Sequence, residues 1–470
     1  MPIQIRPGSS SGQDGSPGGE ARSDNRLALL DQGFFAGHRA IGQTEVMQVV
    51  WVYEHEIDLD GLRRFHRCLG YGLSGRLIER SPLPFGRDRW VLDRGPADIE
   101  FAEHARPRSE LSDWADERSQ QTIDPEHGPG WHLAVQPLTD GSTAVTFVIS
   151  HYIVDGVGGL VVVGDAILGN TRDLGYPPPH SRSRRRALVE DARQSLRDAP
   201  EVARALVALA KFTLRNRRET ARSLPAPAPV TPRPTGDDEA IIVPGISIHV
   251  QLDHWETRAK ALGGAGTTLA AAFSARLAER LGRRRRSDGI VTLQVVMSNR
   301  TAADTRAVAV SLTPVRVDPT SITADLSGLR ADLKQALGTL QDTPDETSQL
   351  AALAPLTPPQ VWRRGVEAQL NDPDQPVIYS NLGDAGTVVS RADGTQCEYA
   401  WARGMNQHVT RQSVEKIGGF MRVVSCRTPP LGTIYLTVVA YQPGATNTKE
   451  ALRELARRTL DEFGVTGQVD

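Results

Sequence analysis

The run Ser150-His151-Tyr152-Ile153-Val154-Asp155-Gly156 follows directly on an apolar stretch that ends at Ile149, and Gly158, Gly159 and the apolar residues 160–163 come next. The order is strand, His-x-x-x-Asp-Gly, helix start. It sets an imidazole at the end of a rigid element, where a cleft can hold it. A neutral imidazole, with an ordinary pKa of about 6.5, can take a proton from an attacking alcohol or amine. Asp155 can fix the loop by an ion pair or by backbone bonds, and Gly156 tolerates a backbone angle that other residues resist. Three fixed positions recur by chance in a long chain. The competing reading is a histidine capping a strand, an aspartate capping a helix, and a turn glycine.

Other chemistries lack their residues. The remaining histidines show no ligand spacing with carboxylates or cysteines, so no metal site is expected. Of these, His408 lies in a Gly- and Asn-containing segment, 404–410, that can line an acceptor pocket. Cys68, Cys397 and Cys426 form no CxxC and read as reduced structural thiols. There is no G-x-S-x-G elbow and no Walker A sequence. Lys plus Arg total 54 against 56 Asp plus Glu, so the net charge of -2 makes no case for nucleic acid. No apolar run is long enough to span a bilayer, and the first residues lack a secretory apolar core. The expected location is cytoplasmic.

The elements that must position His151 can be read from pattern. The 470 residues are 39% hydrophobic and 23% charged, enough apolar material for a large core. Residues 1–24, rich in Gly and Ser, predict a disordered arm. Residues 25–175 read as an N-terminal lobe. Strands are expected at 45–53, 89–93, 131–138 and 143–150, the last two joined by an Asp140-Gly141 turn, and helices at 59–73 and 111–121. Residues 176–240 read as a crossover, helical from Ser181 to Arg222 and then broken by Pro225, Pro227, Pro229, Pro232 and Pro234. Residues 241–470 read as a second lobe. Its strands are expected at 246–252, 290–297, 308–317, 377–381, 419–425 and 433–441, with helices at 255–262, 267–281, 321–340 and 449–463. Arg283 to Arg286 suit the C-terminal end of the second of these helices.

With Ile149 and the preceding strand, His151-x-x-x-Asp155-Gly156 resembles the HHxxxDG motif of CoA-dependent acyltransferases, a superfamily that includes peptide-synthetase condensation domains and plant BAHD enzymes. Among its branches the chain is most similar to the bacterial wax ester synthase/diacylglycerol acyltransferase family. The resemblance rests on Leu29-Leu30-Asp31-Gln32-Gly33-Phe34-Phe35, the Arg-rich and Pro-ended crossover, Ser298-Asn299-Arg300 after a strand, and Ser380-Asn381-Leu382-Gly383. It spans about 27–463. The chain departs from the family at Ser150, which replaces the first motif histidine, and at Gly266-Thr267-Thr268, where wax ester synthases often carry an Asn-Asp pair. The Asp-Phe-Gly-Trp-Gly sequence of the plant branch is missing.

The resemblance implies an α/β, chloramphenicol-acetyltransferase-like fold, two lobes with mixed sheets around a central tunnel. It implies transfer of an acyl group from a thioester, acyl-CoA or an acyl carrier protein thioester, to a hydroxyl acceptor, with no permanently bound cofactor. His151 would be the general base. Asp155 would be structural, paired with Arg300 from the other half, and Ser150 supportive. The tetrahedral oxyanion needs a donor, for which the Ser380–Asn381 turn is the candidate. The basic stretch Arg182 to Arg222 can dock an acyl carrier protein or lie on a membrane surface. Two rival functions stand beside this one: a carrier-protein-dependent or amide-forming acyltransferase of natural-product biosynthesis, and a scaffold that has lost catalysis.

Overall fold

A computed structural model describes residues 25–220, 238–285, 287–301, 303–342, 350–370 and 374–470. The expected arm and the prolines 225–234 lie outside these residues. The first lobe runs α1 (Leu29–Ile41), β1 (Thr44–Tyr53), α2 (Leu59–Leu69), β2 (Arg76–Glu79), β3 (Arg89–Leu92), β4 (Glu100–Phe101), α3 (Leu111–Ser119), β5 (Trp131–Pro137), β6 (Thr143–Ser150) and α4 (Gly156–Ile167). The β-branched and aromatic run 46–53 suits a strand buried on both faces, and β1 is that strand. It pairs antiparallel with β6, Val46 opposite Ser150. Asp58 starts α2 by accepting the Asp60 and Gly61 N–H groups at 2.9 Å.

The crossover is the helix α5 (Arg184–Thr220). The second lobe follows with β7 (Gly245–Gln251), α6 (Leu252–Ala261), α7 (Gly266–Arg280), β8 (Val291–Ser298), β9 (Val310–Val317), α8 (Ser327–Asp342), α9 (Pro359–Leu370), β10 (Val377–Asp384), β11 (Tyr399–Gln407), α10 (Arg411–Lys416), β12 (Phe420–Thr428), β13 (Thr433–Tyr441), α11 (Lys449–Glu462) and β14 (Gln468–Val469). Among the described residues a seven-stranded sheet is ordered β14-β7-β13-β12-β10-β8-β9. Here β10 runs parallel to both β8 and β12, with Ser380 beside Val296. The C-terminal ends of β8 and β10 therefore leave the sheet in the same direction. The Ala-rich α7 is buried along most of its length, because small side chains let it lie close beneath the strands.

The five-stranded sheet of the first lobe is ordered β11-β1-β6-β5-β4. Its edge strand β11 comes from residues expected in the second lobe, and Tyr399 to Gln407 pair with Val52 back to Thr44. The apolar core is continuous across the lobes: Trp51, Phe65 and Val163 belong to one cluster with Leu382, Val424 and Tyr435.

The two-lobed α/β architecture with mixed sheets agrees with the expected fold. The structure departs from the sequence expectations, or adds to them, at four places. The stretch 404–407 is strand, and His408 is exposed in the turn after it. The Leu-rich segment containing Asp31 is a helix. Strand β2 was not expected. Arg283 is no solvated helix-end cation: it is buried, bonded to the Gly418 carbonyl and Gln442 at 3.1 Å. Burial lowers its pKa to about 10. Arg286 lies outside the described residues. The three cysteines are free thiols, as expected.

Candidate active site

Strand β6 ends at Ser150, which is fully buried. The His151 N–H donates to the Glu45 carbonyl at 2.9 Å, carrying the β1–β6 ladder one residue further. The Ser150 hydroxyl oxygen accepts the Tyr152 N–H at 3.3 Å, and the Ser150 carbonyl accepts the Ile153 N–H at 3.1 Å. These bonds turn the chain sharply and present the His151 ring. Its Nδ1 is buried without a hydrogen-bond partner among the described residues, and the residue as a whole is half-buried. The Phe34 ring of α1 lies 5.3 Å from the His151 ring, and the Tyr152 ring 5.5 Å from Phe34.

A carboxylate that the sequence did not single out stands beside this ring. Glu45 is buried at the start of β1, ion-paired with Arg422 of β12 and 3.6 Å from His38 Nε2. Burial opposes its charge, but Arg422, His151 and His38 outweigh burial and hold its carboxyl at about 2. The Glu45 N–H donates to the Tyr152 hydroxyl at 3.1 Å, and that hydroxyl donates to the Gln43 carbonyl at 3.2 Å. An ionised carboxylate thus lies within electrostatic reach of His151.

Asp155 caps α4 and is fully engaged. Its two oxygens take Arg300 Nη2 at 2.8 Å and Nε at 3.1 Å, a bidentate pair across 145 positions of sequence, with both side chains almost wholly buried. They also accept the Gly158 N–H and the Ala309 N–H, each at 2.7 Å. Arg300 turns its remaining donors onto the Arg306 and Ala307 carbonyls at 3.0 and 2.9 Å. With every lone pair committed, Asp155 has no capacity left for proton transfer. The close packing also explains the glycines. A Cβ on Gly158 would fall 2.4 Å from Val154 Cγ2, and one on Gly156 would fall 2.9 Å from Leu382 Cδ2.

Leu382 brings the end of β10 against the start of α4. Ser380 and Asn381 precede it on that strand, both half-buried. The Asn381 side-chain oxygen accepts the Gly383 N–H at 2.9 Å, which orients the amide and leaves its NH₂ free to donate. Among the described residues no hydrogen bond joins Ser380 or Asn381 to His151.

Asp31 of α1 accepts the Ala307 and Val308 N–H groups at 2.9 and 2.8 Å. Burial pushes its carboxyl up, opposed by those two bonds and by Arg76. Arg76, also buried, donates to the Thr305 carbonyl at 2.6 Å and to Ile153 at 2.8 Å. The connection from β8 to β9 is therefore tied to the first lobe through three consecutive N–H groups, 307–309. Glu45, Arg422 and Arg76 were missed because their partners are distant in sequence. An acidic residue opening an otherwise apolar strand was the available signal at Glu45.

Among the described residues no cluster of three metal-binding side chains occurs, and no helix is long and apolar enough to cross a membrane. A cavity of about 330 Å³ and a smaller one of about 20 Å³ lie between the lobes, and His151 lines neither.

No protein-family model and no curated protein matches the chain. Solved structures do. The first condensation domain of the CDA synthetase superposes with a TM-score of 0.54 at 12% identity, over 95% of this chain and 100% of that one. The condensation domain of the Monacolin K polyketide synthase gives 0.52 at 13%, over 93% and 96%. The epimerization domain from the third module of tyrocidine synthetase B gives 0.50 at 15%, over 95% and 98%. These likenesses establish a condensation-domain fold for nearly the whole chain.

Proposed function

We propose that this chain is an acyltransferase that moves an acyl group from a thioester to a hydroxyl acceptor by direct attack, with His151 as general base. The observation that carries the reading is the mounting of His151: a half-buried strand-end imidazole within electrostatic reach of the ionised Glu45. A thioester carbonyl is electrophilic enough to need no covalent enzyme intermediate. The acceptor O–H gives its proton to Nε2 as its oxygen attacks the carbonyl carbon. The resulting oxyanion is met by the Asn381 amide with Ser380 in support. Collapse breaks the C–S bond, and the departing thiolate takes the proton from the imidazolium. Glu45 stabilises that imidazolium, while Asp155, Gly156 and Arg300 hold the loop. Ser150 supports the turn. No permanently bound cofactor takes part.

A second reading differs in the donor. The condensation-domain fold over nearly the full length favours a carrier-protein thioester in place of acyl-CoA. The outer face of α5, with exposed Arg184, Arg185, Arg193, Arg197 and Arg204, suits an acidic carrier protein. Arg182 is not part of that face, being held by Asp191 at 3.0 Å and Glu79 at 3.4 Å. Arg222 lies outside the described residues.

Acyl-CoA and acyl carrier protein donors, each incubated with alcohols and amines and followed by mass spectrometry, test both readings. Product from wild type and a loss of at least about 100-fold in His151→Ala are expected. Equal turnover in the two proteins excludes the mechanism. No product from any donor favours the scaffold reading.

A further inference from the structure

The 330 Å³ cavity lies at the other end of the shared sheet from His151. Val52 on β1 and Tyr399 on β11 line it, whereas Val46 on the same strand pairs with Ser150. Six residues of strand, about 20 Å, separate Val52 from Val46, and the cavity runs back along β11 as far as Arg403, which pairs with Gln48. The walls come from both lobes: β1, β11 and α3 on one side, β7 and α11 on the other.

One wall is aromatic, with the Arg108 guanidinium 5.2 Å from the centre of the Tyr399 ring. The His249 ring stands nearly perpendicular to the rings of Tyr399 and Trp401, at 6.1 and 5.8 Å between centroids. Leu111 and Ala115 extend the apolar surface. The polar part of the lining holds four guanidinium groups beside serines, Gln468 and Asp470, and most of the guanidinium groups are already paired. Arg108 reaches Glu54 at 2.8 Å and Asp140 at 3.3 Å, Arg403 reaches Asp116 at 2.7 Å, and Arg453 reaches Glu450 at 3.4 Å. Arg457 differs. Its hydrogen bond is to the Val469 carbonyl at 3.2 Å, and no carboxylate lies within 4 Å of it among the described residues. The carboxylate that faces the same space is Asp470, with both oxygens accepting from Gln468 Nε2 at 3.0 Å. Arg453 and Arg457 sit one turn apart on α11, so both guanidinium groups flank the cavity from one helix face.

A guanidinium with spare donors selects a carboxylate or similar planar anion, and an aromatic wall selects a flat apolar body. The volume falls in the range of small-ligand sites. We propose that this cavity is a second binding site, separate from the acyl-transfer cleft, for a planar aromatic carboxylate whose ring lies on Tyr399 and Trp401 and whose charge is held by Arg457. The assignment does not depend on the acyltransferase reading.

Calorimetric titration of the full chain with 1-naphthoate tests it, with 1-naphthalenemethanol as the neutral isostere. One saturable equivalent of naphthoate is expected. Arg457→Gln should weaken it at least about tenfold, the worth of one charge-assisted hydrogen bond, and the neutral isostere should be weaker by a similar factor. Arg457 is exposed, so its substitution should leave the fold intact. His151→Ala should bind naphthoate as wild type does. Absence of saturable binding, affinity unchanged by Arg457→Gln, equal affinity for the neutral isostere, or loss of binding in His151→Ala would each overturn the proposal.

Discussion

At His151 the question is what holds a lone imidazole in place, given that Ser150 stands where the motif it resembles has its first histidine. Two groups answer it. The Ser150 hydroxyl fixes the turn by accepting one backbone N–H, a local bond worth about 1 kcal/mol, so Ser150→Ala should cost far less activity than His151→Ala. Glu45 has the larger role. Its carboxyl, held at about 2 against an ordinary 4.5, contributes stability that is complete above pH 4.5 and is lost as pH falls toward 2. Glu45→Gln removes the anion beside His151 and strands Arg422. Denaturant titration should show a loss of about 3 kcal/mol, the low end for breaking a buried pair, and kcat should fall about 10- to 100-fold. Stability and kcat both equal to wild type would exclude the role. His151, Asp155 and Gly156 were legible because one short segment carries them. Glu45 and Arg422 were not, since only the β1–β6 ladder and the neighbouring sheet bring them together.

Among the elements, the connection from β8 to β9 is bonded to the first lobe from three sides. It is gripped from α1 by Asp31, from β2 by Arg76 and from the start of α4 by Asp155, while Arg300 closes the ring from its own end. Asp155→Asn keeps the shape of the cap but cannot hold Arg300 as a bidentate ion pair. Breaking one partner of so buried a pair should destabilise by about 3–5 kcal/mol, and Arg300→Ala should cost a similar amount. Because both lose the same interaction, the double variant should fall well short of the sum. Additive losses in denaturant titration would mean that the two residues act separately. The pairing of Asp155 with Arg300 was expected from the motif, yet the parts played by Asp31 and Arg76 were not. Strand β11 escaped notice for a related reason: Arg403, Gly404, Asn406 and Gln407 break the apolar run expected of a strand, although Arg403 is paired by Asp116 and Gln407 is bonded to the backbone of α3.

For the molecule as a whole, the strand exchange decides how the lobes fold. The order of strands and helices made two α/β lobes legible, and the sequence neighbourhood of β11 assigned it to the second. Pairing places it in the first, where it covers the outer edge of β1 along nine residues, Thr44 to Val52. Without β11 that edge is open, and β1 is long, apolar and poor in charge, the composition of a strand that pairs with other chains. The shared core adds to the dependence, since Trp51 and Phe65 pack in the same cluster as Leu382 and Tyr435. Residues 25–175 expressed alone should therefore aggregate or lack a cooperative melt, and co-expression with 241–470 should restore a soluble complex. The intact chain should unfold in one transition by both calorimetry and tryptophan fluorescence, since the two lobes cannot separate without breaking the β1–β11 ladder and the Asp155–Arg300 pair. A soluble, cooperatively melting 25–175 fragment would show that the first sheet needs no strand from the second lobe, and the lobes would then be independent domains joined by a docked strand.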